Sequence, residues 1–323
     1  MKPLINPYHN VNWEVTSRLV SLSHWHCKSQ DRFDLIYNTG VRHFPISNYY
    51  PSKPLYPLES IFNTPVDALS CPNAEHHGMT NTSLHFNSLG STYESGSTSG
   101  QNPVGVRDTW QNAFTNALLL LQTYDGGGLT INHPSWSNLP FETVKQMMMF
   151  DDRVLGLEVY NHTCEYHNNQ GKGWSIDYWD GLLSQGIFTL GFFTPDHTVD
   201  DYNWGRNVLL VDSINEENAL KAYRQGSFFG VIKDNGLTFT EISFNGSTLN
   251  VSVSNNATIK FITEKGIIKT STGLTSFFVP MRETVYVRIE AEDSAGERIF
   301  SQPIMYKNEK MLKRDRRKRL LLL

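Results

Sequence analysis

Cysteine is scarce in this chain of 323 residues: Cys27, Cys71 and Cys164 are the whole complement. Three thiols, odd in number and far apart, do not make a disulfide framework and match a reducing compartment. Long hydrophobic runs are lacking too. No segment approaches the roughly 18–20 apolar residues needed to span a bilayer. The opening MKPLINPYHNVNWEV has no apolar leader region. A cytoplasmic location is therefore expected, or a secreted or periplasmic one if a leader was removed. Excess charge of one sign is also missing: the net charge is −4, which gives no electrostatic reason to expect nucleic acid as a partner. There is no Gly-rich phosphate loop, no G-x-S-x-G elbow and no dinucleotide fingerprint, so the nucleotide and serine-nucleophile chemistries built on them lose their usual signals.

What is present is core-forming material, with 39% hydrophobic and 12% aromatic residues. It is arranged as alternating strand and helix patterns. VTSRLVSLSHW reads as a strand, DRFDLIYNTG as a short helix stopped at Gly40, and VRHFPIS as a second strand. ALSCPNAEHH and SLHFNSLGS read as two more short strands. Residues 90–105 are Gly/Ser-rich and read as a loop, a candidate lid. Helices over TWQNAFTNALLLLQTY, PFETVKQMMMF, SIDYWDGLLSQG and NEENALKAYRQG then alternate with strands over GLTINHP, VLGLEVYNH and IFTLGFFTPDH. Such alternation predicts a parallel α/β architecture, barrel or open sheet, over residues 1–235. Short alternating runs with Asn-Gly and Ser-Gly turns predict a small antiparallel β-sandwich over 236–307. Residues 308–323 are basic and end in leucines, the pattern of a solvated tail; contact with nucleic acid or an anionic membrane is the minor alternative. Five N-x-[ST] matches, at Asn81, Asn161, Asn245, Asn250 and Asn256, read as chance.

Polar residues gather at the ends of the predicted strands: His24 and His26, Asn48 and Tyr49, His76 and His77, His133, Asn161 and His162, Asp196 and His197. In α/β barrels, chemistry collects at the rim formed by strand C-termini. His24 and His26 stand one pleat apart in SHWHC, so two imidazoles would face the same side of a strand. A set formed by His24, His26, Glu75, His85, His133 and Asp196 offers imidazoles suited to Zn, Mn or Fe and carboxylates able to bridge two ions. Two ions so held can activate a water and clamp a hydrolytic transition state.

SHWHC, PNAEHH, LHFNSLGS, INHPSW, LEVYN and TPDH, in this order, resemble the PHP (polymerase and histidinol phosphatase) superfamily of metal-dependent phosphoesterases, most nearly its carbaryl-hydrolase-like branch. The resemblance covers roughly residues 15–235. WDGLLSQG and ENALKAYRQGSFFG are similar to the last helices of that family, and the β-rich end through FSQPIMY is similar to a domain often appended there. The resemblance implies a distorted (β/α)7 TIM-like barrel with up to three metals at its rim. It also implies that His24 and His26 are ligands of a first metal, that Glu75 bridges, that His85 and His133 come next, and that Asp196 returns to the first metal.

The third site of the family is broken here. Tyr49 stands where its histidine is expected, His197 comes directly after Asp196 with Thr198 in the usual histidine place, and Asp31 is the best candidate for the acidic ligand after H-x-H. The expectation is a binuclear site with a weak or absent third metal, trinuclear where that metal binds, or alternatively one in which Tyr49 and His197 serve substrate as proton donor or phosphate ligand. The expected function is thus metal-dependent hydrolysis of a small phosphoester, with Glu75, Asp196, His197 and Tyr49 as the catalytic set. Two alternatives remain: a carbamate, ester or amide hydrolase using the same metals, and an inactive metal- and glycan-binding module. His76, His77, His162 and His167 are rim histidines, Glu158 is a supporting or catalytic carboxylate, and Trp136, Trp174, Trp204, Cys27 and Met147–Met149 are packing residues in this reading.

Overall fold

The computed structural model describes residues 1–49, 51–96, 108–168, 171–197, 204–233 and 236–313. In chain order the elements are β1 Ser17–Ser21, α1 Gln30–Tyr37, β2 Glu75–His76, β3 Phe86–Leu89, α2 Trp110–Leu119, β4 Gly128–Ile131, α3 Phe141–Met148, β5 Val154–Asn161, α4 His162–Tyr166, α5 Ile176–Ser184 and β6 Leu190–Thr194. They continue as β7 Gly205–Val211, α6 Glu216–Gln225, β8 Phe228–Ile232, β9 Phe239–Asn245, β10 Thr248–Thr263, β11 Gly266–Phe278, β12 Tyr286–Asp293, β13 Arg298–Ser301 and β14 Ile304–Met305.

The near-continuous apolar run VLGLEVYN becomes β5, buried at every position, as a strand covered on both faces must be. It pairs in parallel with β4 and β6. The helices between them are amphipathic. α3 buries Val144, Met147 and Met148, one stripe at helical spacing, while Met149 lies past its end and is exposed. Side-chain oxygens of Thr109 and Asn215 cap α2 and α6. Gly226 closes α6 at φ 74°, the left-handed turn that glycine adopts without strain.

The five-stranded sheet runs β2-β3-β4-β5-β6, antiparallel at its first two junctions. The larger, nine-stranded sheet runs β1-β7-β8-β13-β12-β10-β11, with β9 on β10 and β14 on β12, antiparallel throughout. Two expectations change here. The architecture is mixed α/β rather than all-parallel, because residues 205–211 and 228–232 form a hairpin-like antiparallel pair that β1 joins. VRHFPIS does not become a regular strand; its backbone makes isolated bridges only.

Those bridges matter for the site. Trp25 bridges both Asp196 and Ile46, His43 bridges Ser21 and Leu69, and Glu75 N donates to Ser47 O at 3.0 Å. Short segments near residues 24–26, 43–47 and 69–75 thus stand between β6 and β2. No closed sheet forms among the described strands. The two sheets meet where β8 crosses β6: a Cβ on Gly230 would lie 2.0 Å from the Phe193 ring. β8 pairs with β13 from Ile232↔Arg298 to Phe229↔Ser301, so the larger sheet continues across the boundary expected at residue 235. The core beneath its curl joins Val208 and Phe229 to Phe239, Val251, Phe261 and Ile289. No described helix is long and apolar enough to cross a membrane. Residues 309–313 form a helical turn, and the rest of the basic tail lies outside the described residues, as does the expected lid beyond Gly96.

Candidate metal centre

His24 and His26 come just after β1, and Trp25 between them is fully buried. The backbone is pinned on both sides: Asp196 N donates to His24 O and His26 N donates to Asp196 O, each at 3.1 Å. The apolar side chain turns into the core and both imidazoles turn to the other side. Their Nε2 atoms lie 3.1 Å apart. Two carboxylate oxygens complete the group. Glu75 Oε2 is 3.4 Å from His24 Nε2 and 3.0 Å from His26 Nε2. Asp196 Oδ1 is 3.4 and 3.3 Å from the same two nitrogens. Donors bonded at about 2.0–2.1 Å to a tetrahedral ion are about 3.3 Å from one another, so these separations are the edges of a coordination tetrahedron.

The second oxygen of Glu75 faces the other way. Oε1 is 2.9 Å from His85 Nδ1 and 3.3 Å from His133 Nε2. Two donor groups, His24/His26/Glu75/Asp196 and Glu75/His85/His133, therefore share one carboxylate. Every member is buried except His85, which is partly exposed. His133 and Asp196 sit at positive φ, 27° and 60°, a conformation L-residues adopt at some cost and often at functional sites. Asp196 Oδ1 is buried with no well-formed hydrogen bond, its neighbours being the two imidazole nitrogens at 3.3–3.4 Å, an arrangement that a cation between them would satisfy better. The donor set and this oxygen both match a divalent ion.

Behind the donors stands Glu158. Its Oε1 is 2.6 Å from His24 Nδ1 and accepts from Thr194 Oγ1 at 3.1 Å. Its Oε2 accepts from His133 N and Asn161 Nδ2, both at 2.9 Å. The Asn161 amide also reaches Asp196 Oδ2 at 3.1 Å. Asn161 is fully buried, so its sequon carries no glycan in the folded chain. Asn132 Nδ2 donates to Glu75 Oε1 at 3.2 Å.

Burial works against charge on these groups, yet their neighbours prevail. Glu75 is held well below the usual carboxylate range despite desolvation, by His24, His85 and His133. Asp196 is likewise held down against burial by His24, His197 and His26. His24 is raised well above an ordinary histidine, since Asp196, Glu158 and Glu75 outweigh its burial. Both ligand carboxylates are thus ionised, and positive charge is what the pocket favours.

Tyr49 and His197 are brought to the same mouth. Tyr49 OH lies 3.1 Å from His197 Nε2. The His197 ring stacks on His26 at 4.0 Å between centroids, and burial pushes it down to about 4. A cavity of about 40 Å³ opens between Tyr49, Glu75, His85, His133, Trp136, Cys164, Asn168, Asp196 and His197. A wider cleft of about 790 Å³ between residues 6–14 and β9 holds none of the candidate ligands; the chemistry is at the small cavity, where the donors converge.

The remaining candidates separate cleanly. Asp31 is exposed in the first turn of α1, and no described contact brings it to the centre. His76 is held by Ser95 and Ser88 hydroxyls at 2.9 Å each, and His162 meets Tyr160 OH at 3.0 Å. His76, His77, His162 and His167 do not line the cavity. Thr198 lies outside the described residues. Cys27, Trp204 and Trp25 are core. Sequence reasoning assigned no place at the cavity to Cys164 and Asn168 and took Trp136 as packing. Glu158 carried a visible signal: a carboxylate within a strand otherwise apolar must be hydrogen-bonded to be there.

No family model matches the chain, and no curated protein matches it. Among solved structures it is similar to a two-domain protein from Bacteroides vulgatus containing a predicted PHP-like metal-dependent phosphoesterase, with 12% identity, 90% of this chain and 93% of that chain covered, and a TM-score of 0.50. At that identity the likeness is one of fold.

Proposed function

We propose that the protein is a metal-dependent hydrolase with a binuclear centre, acting on a small phosphoester. The observation that carries this reading is the orientation of Glu75, with Oε2 toward His24 and His26 and Oε1 toward His85 and His133. In it, His24, His26, Glu75 and Asp196 hold one divalent ion, Zn, Mn or Fe, and Glu75, His85 and His133 hold a second. Such ions supply Lewis acidity and an activated water. Glu158 fixes the His24 tautomer by accepting from Nδ1, leaving Nε2 to face the ion. Trp136 walls the cavity against bulk water. Tyr49 and His197 face the substrate: the Tyr49 hydroxyl donates a proton or hydrogen bond to the leaving oxygen, and His197 Nε2, 3.1 Å away, orients that hydroxyl. With Tyr49 in place of an imidazole and Asp31 at the surface, no third ion is part of the reading.

The sequence motifs in their order support a place in the PHP superfamily, and the carbaryl-hydrolase-like branch is the finer assignment. A distorted barrel over residues 1–235, with residues 236–307 appended, is the finer reading of the fold; the bridges of segments 24–26, 43–47 and 69–75 support it. One observation favours a second reading. Among the described residues, no Lys or Arg lines the cavity, and a neutral carbamate, ester or amide needs none.

Elemental analysis of protein purified without chelator, beside His24→Ala/His26→Ala, tests the proposal. About two ions per chain are expected, with loss in the double variant. Metal-replete protein is then assayed on chromogenic phosphate and carboxyl esters; turnover of the first class supports the phosphoesterase, of the second the alternative. A chain that takes up no Zn, Mn or Fe overturns both.

A further inference from the structure

The three cysteines are all buried and unpaired, and they are not equivalent. Cys27 and Cys71 lie in apolar cores. Cys164 lines the metal cavity. It is 1% exposed and belongs to a donor group of its own with His133 and Asp196, whose ligand atoms lie within 4.8 Å of one another. This group draws one member from each half of the centre described above. Its sulfur therefore lies close to a donor of each half, at the cavity.

Local structure places it there. β5 ends at Asn161, whose Oδ1 accepts from Cys164 N at 3.0 Å and so caps α4. The same Asn161 side chain donates through Nδ2 to Asp196 Oδ2 and to Glu158. One amide thus fixes the thiol and the carboxylate relative to each other. A separate observation points to a ligand between them: Asp196, a residue 3% exposed that lines the same cavity, has no well-formed hydrogen bond to its buried Oδ1, whose neighbours are the imidazole nitrogens of His24 and His26 at 3.3–3.4 Å.

We propose that Cys164 Sγ is a ligand of the centre, so that the pocket selects thiophilic ions, Zn²⁺ or Fe²⁺, over Mg²⁺ and Mn²⁺. The inference rests on the metal-binding reading above and adds to it the sulfur and the selectivity. Thiolates favour softer ions than oxygen donors do. Coordination forms an Sγ–metal bond, breaks S–H and releases one proton to solvent, with no change of oxidation state. Without a cation the thiol stays protonated, because burial and then Asp196, Glu158 and Glu75 push it up; a divalent ion reverses that electrostatic sign.

Cobalt(II) substitution reads the sulfur directly. The full chain is loaded with Co²⁺ alone, as wild type, Cys164→Ser and Cys164→Ala, with circular dichroism to establish folding. The expected result is a near-ultraviolet sulfur-to-cobalt charge-transfer band in wild type, absent in both variants, while the visible d–d bands persist in all three. The preference for Zn²⁺ over Mg²⁺ in competition titrations should fall by about tenfold or more in Cys164→Ser. Visible bands without a charge-transfer band in wild type overturn the inference and leave the histidine–carboxylate centre standing. The wild-type spectrum alone decides this, so a variant that fails to fold does not rescue the idea. The absence of any cobalt spectrum overturns the centre and the inference together.

Discussion

At Glu158, one side chain holds three others and a backbone amide. It takes a hydrogen bond from the His24 ring, the His133 backbone, Thr194 and Asn161, and through Asn161 it reaches Asp196. Its four lone-pair directions face protein donors, so under the proposed function it would orient the ligands rather than compete for the ion. Removing its charge should therefore weaken metal binding without unfolding the chain. Glu158→Gln keeps the shape but presents an amide NH₂ to one of these donors and gives His24 a poorer acceptor. A loss of about 10–100-fold in metal affinity is expected, measured by competition with a chromophoric chelator. Unchanged affinity would mean that Glu158 serves packing only. Of the six candidate ligands, His24, His26, His133 and Asp196 were legible at predicted strand ends, and Glu75 and His85 as metal-ligating residue types in the ordered motifs; the structure brings all six together. Cys164 was not, since a lone thiol in a helical turn looks like any small buried residue. Asp31 was misleading because sequence distance from His26 says nothing about the direction in which α1 leaves the strand.

Elements with a strong period were read well and those held by single bridges were not. β5, α3 and α6 carry their own pattern. Segment 41–47 looked like a strand because it is apolar and β-branched in part, but Pro45 withholds an N–H and its partners are other short segments. His43 lies in that segment and is a structural joint. Its Nδ1 meets Ser21 Oγ of β1 at 2.7 Å, and Tyr223 of α6 donates to that same oxygen at 2.6 Å. Burial alone pushes His43 down to about 3, so it is neutral when folded and protonates near the ordinary value of about 6.5 when unfolded. The unfolded state thus binds the extra proton. The contribution of His43 is fully present above about pH 6.5 and is lost as pH falls toward 3, at up to about 1.4 kcal/mol per pH unit. Urea unfolding of wild type and His43→Gln across that window should give a steeper decline for wild type. Parallel curves would show that burial does not hold this histidine neutral.

Across the whole molecule, the cluster of candidate donors brings together distant parts of the chain. Its donors come from residues 24 and 26 just past β1 of the larger sheet, from 75 in β2 of the smaller sheet, and from 85, 133 and 196 just outside its strands β3, β4 and β6. The antiparallel growth of the larger sheet was hidden in the sequence, because β7 pairs with β8 across an intervening helix and also with β1, nearly two hundred residues earlier. A ligand that binds only the folded arrangement stabilises it by mass action, about 4 kcal/mol at a free concentration a thousandfold above Kd. Without cations, Glu75 and Asp196 stand ionised and buried together, offset by His24, which is raised well above an ordinary histidine, and by the Asn132 and Asn161 amides. Chelation should therefore lower the midpoint of thermal unfolding by several degrees, reversibly on adding back Zn²⁺. The His24→Ala/His26→Ala protein should show no such response, whatever its own midpoint. An equal chelator effect on both proteins would place the stabilising ion elsewhere. No effect on either would mean that the bridging carboxylate and its imidazoles hold their geometry through hydrogen bonds alone.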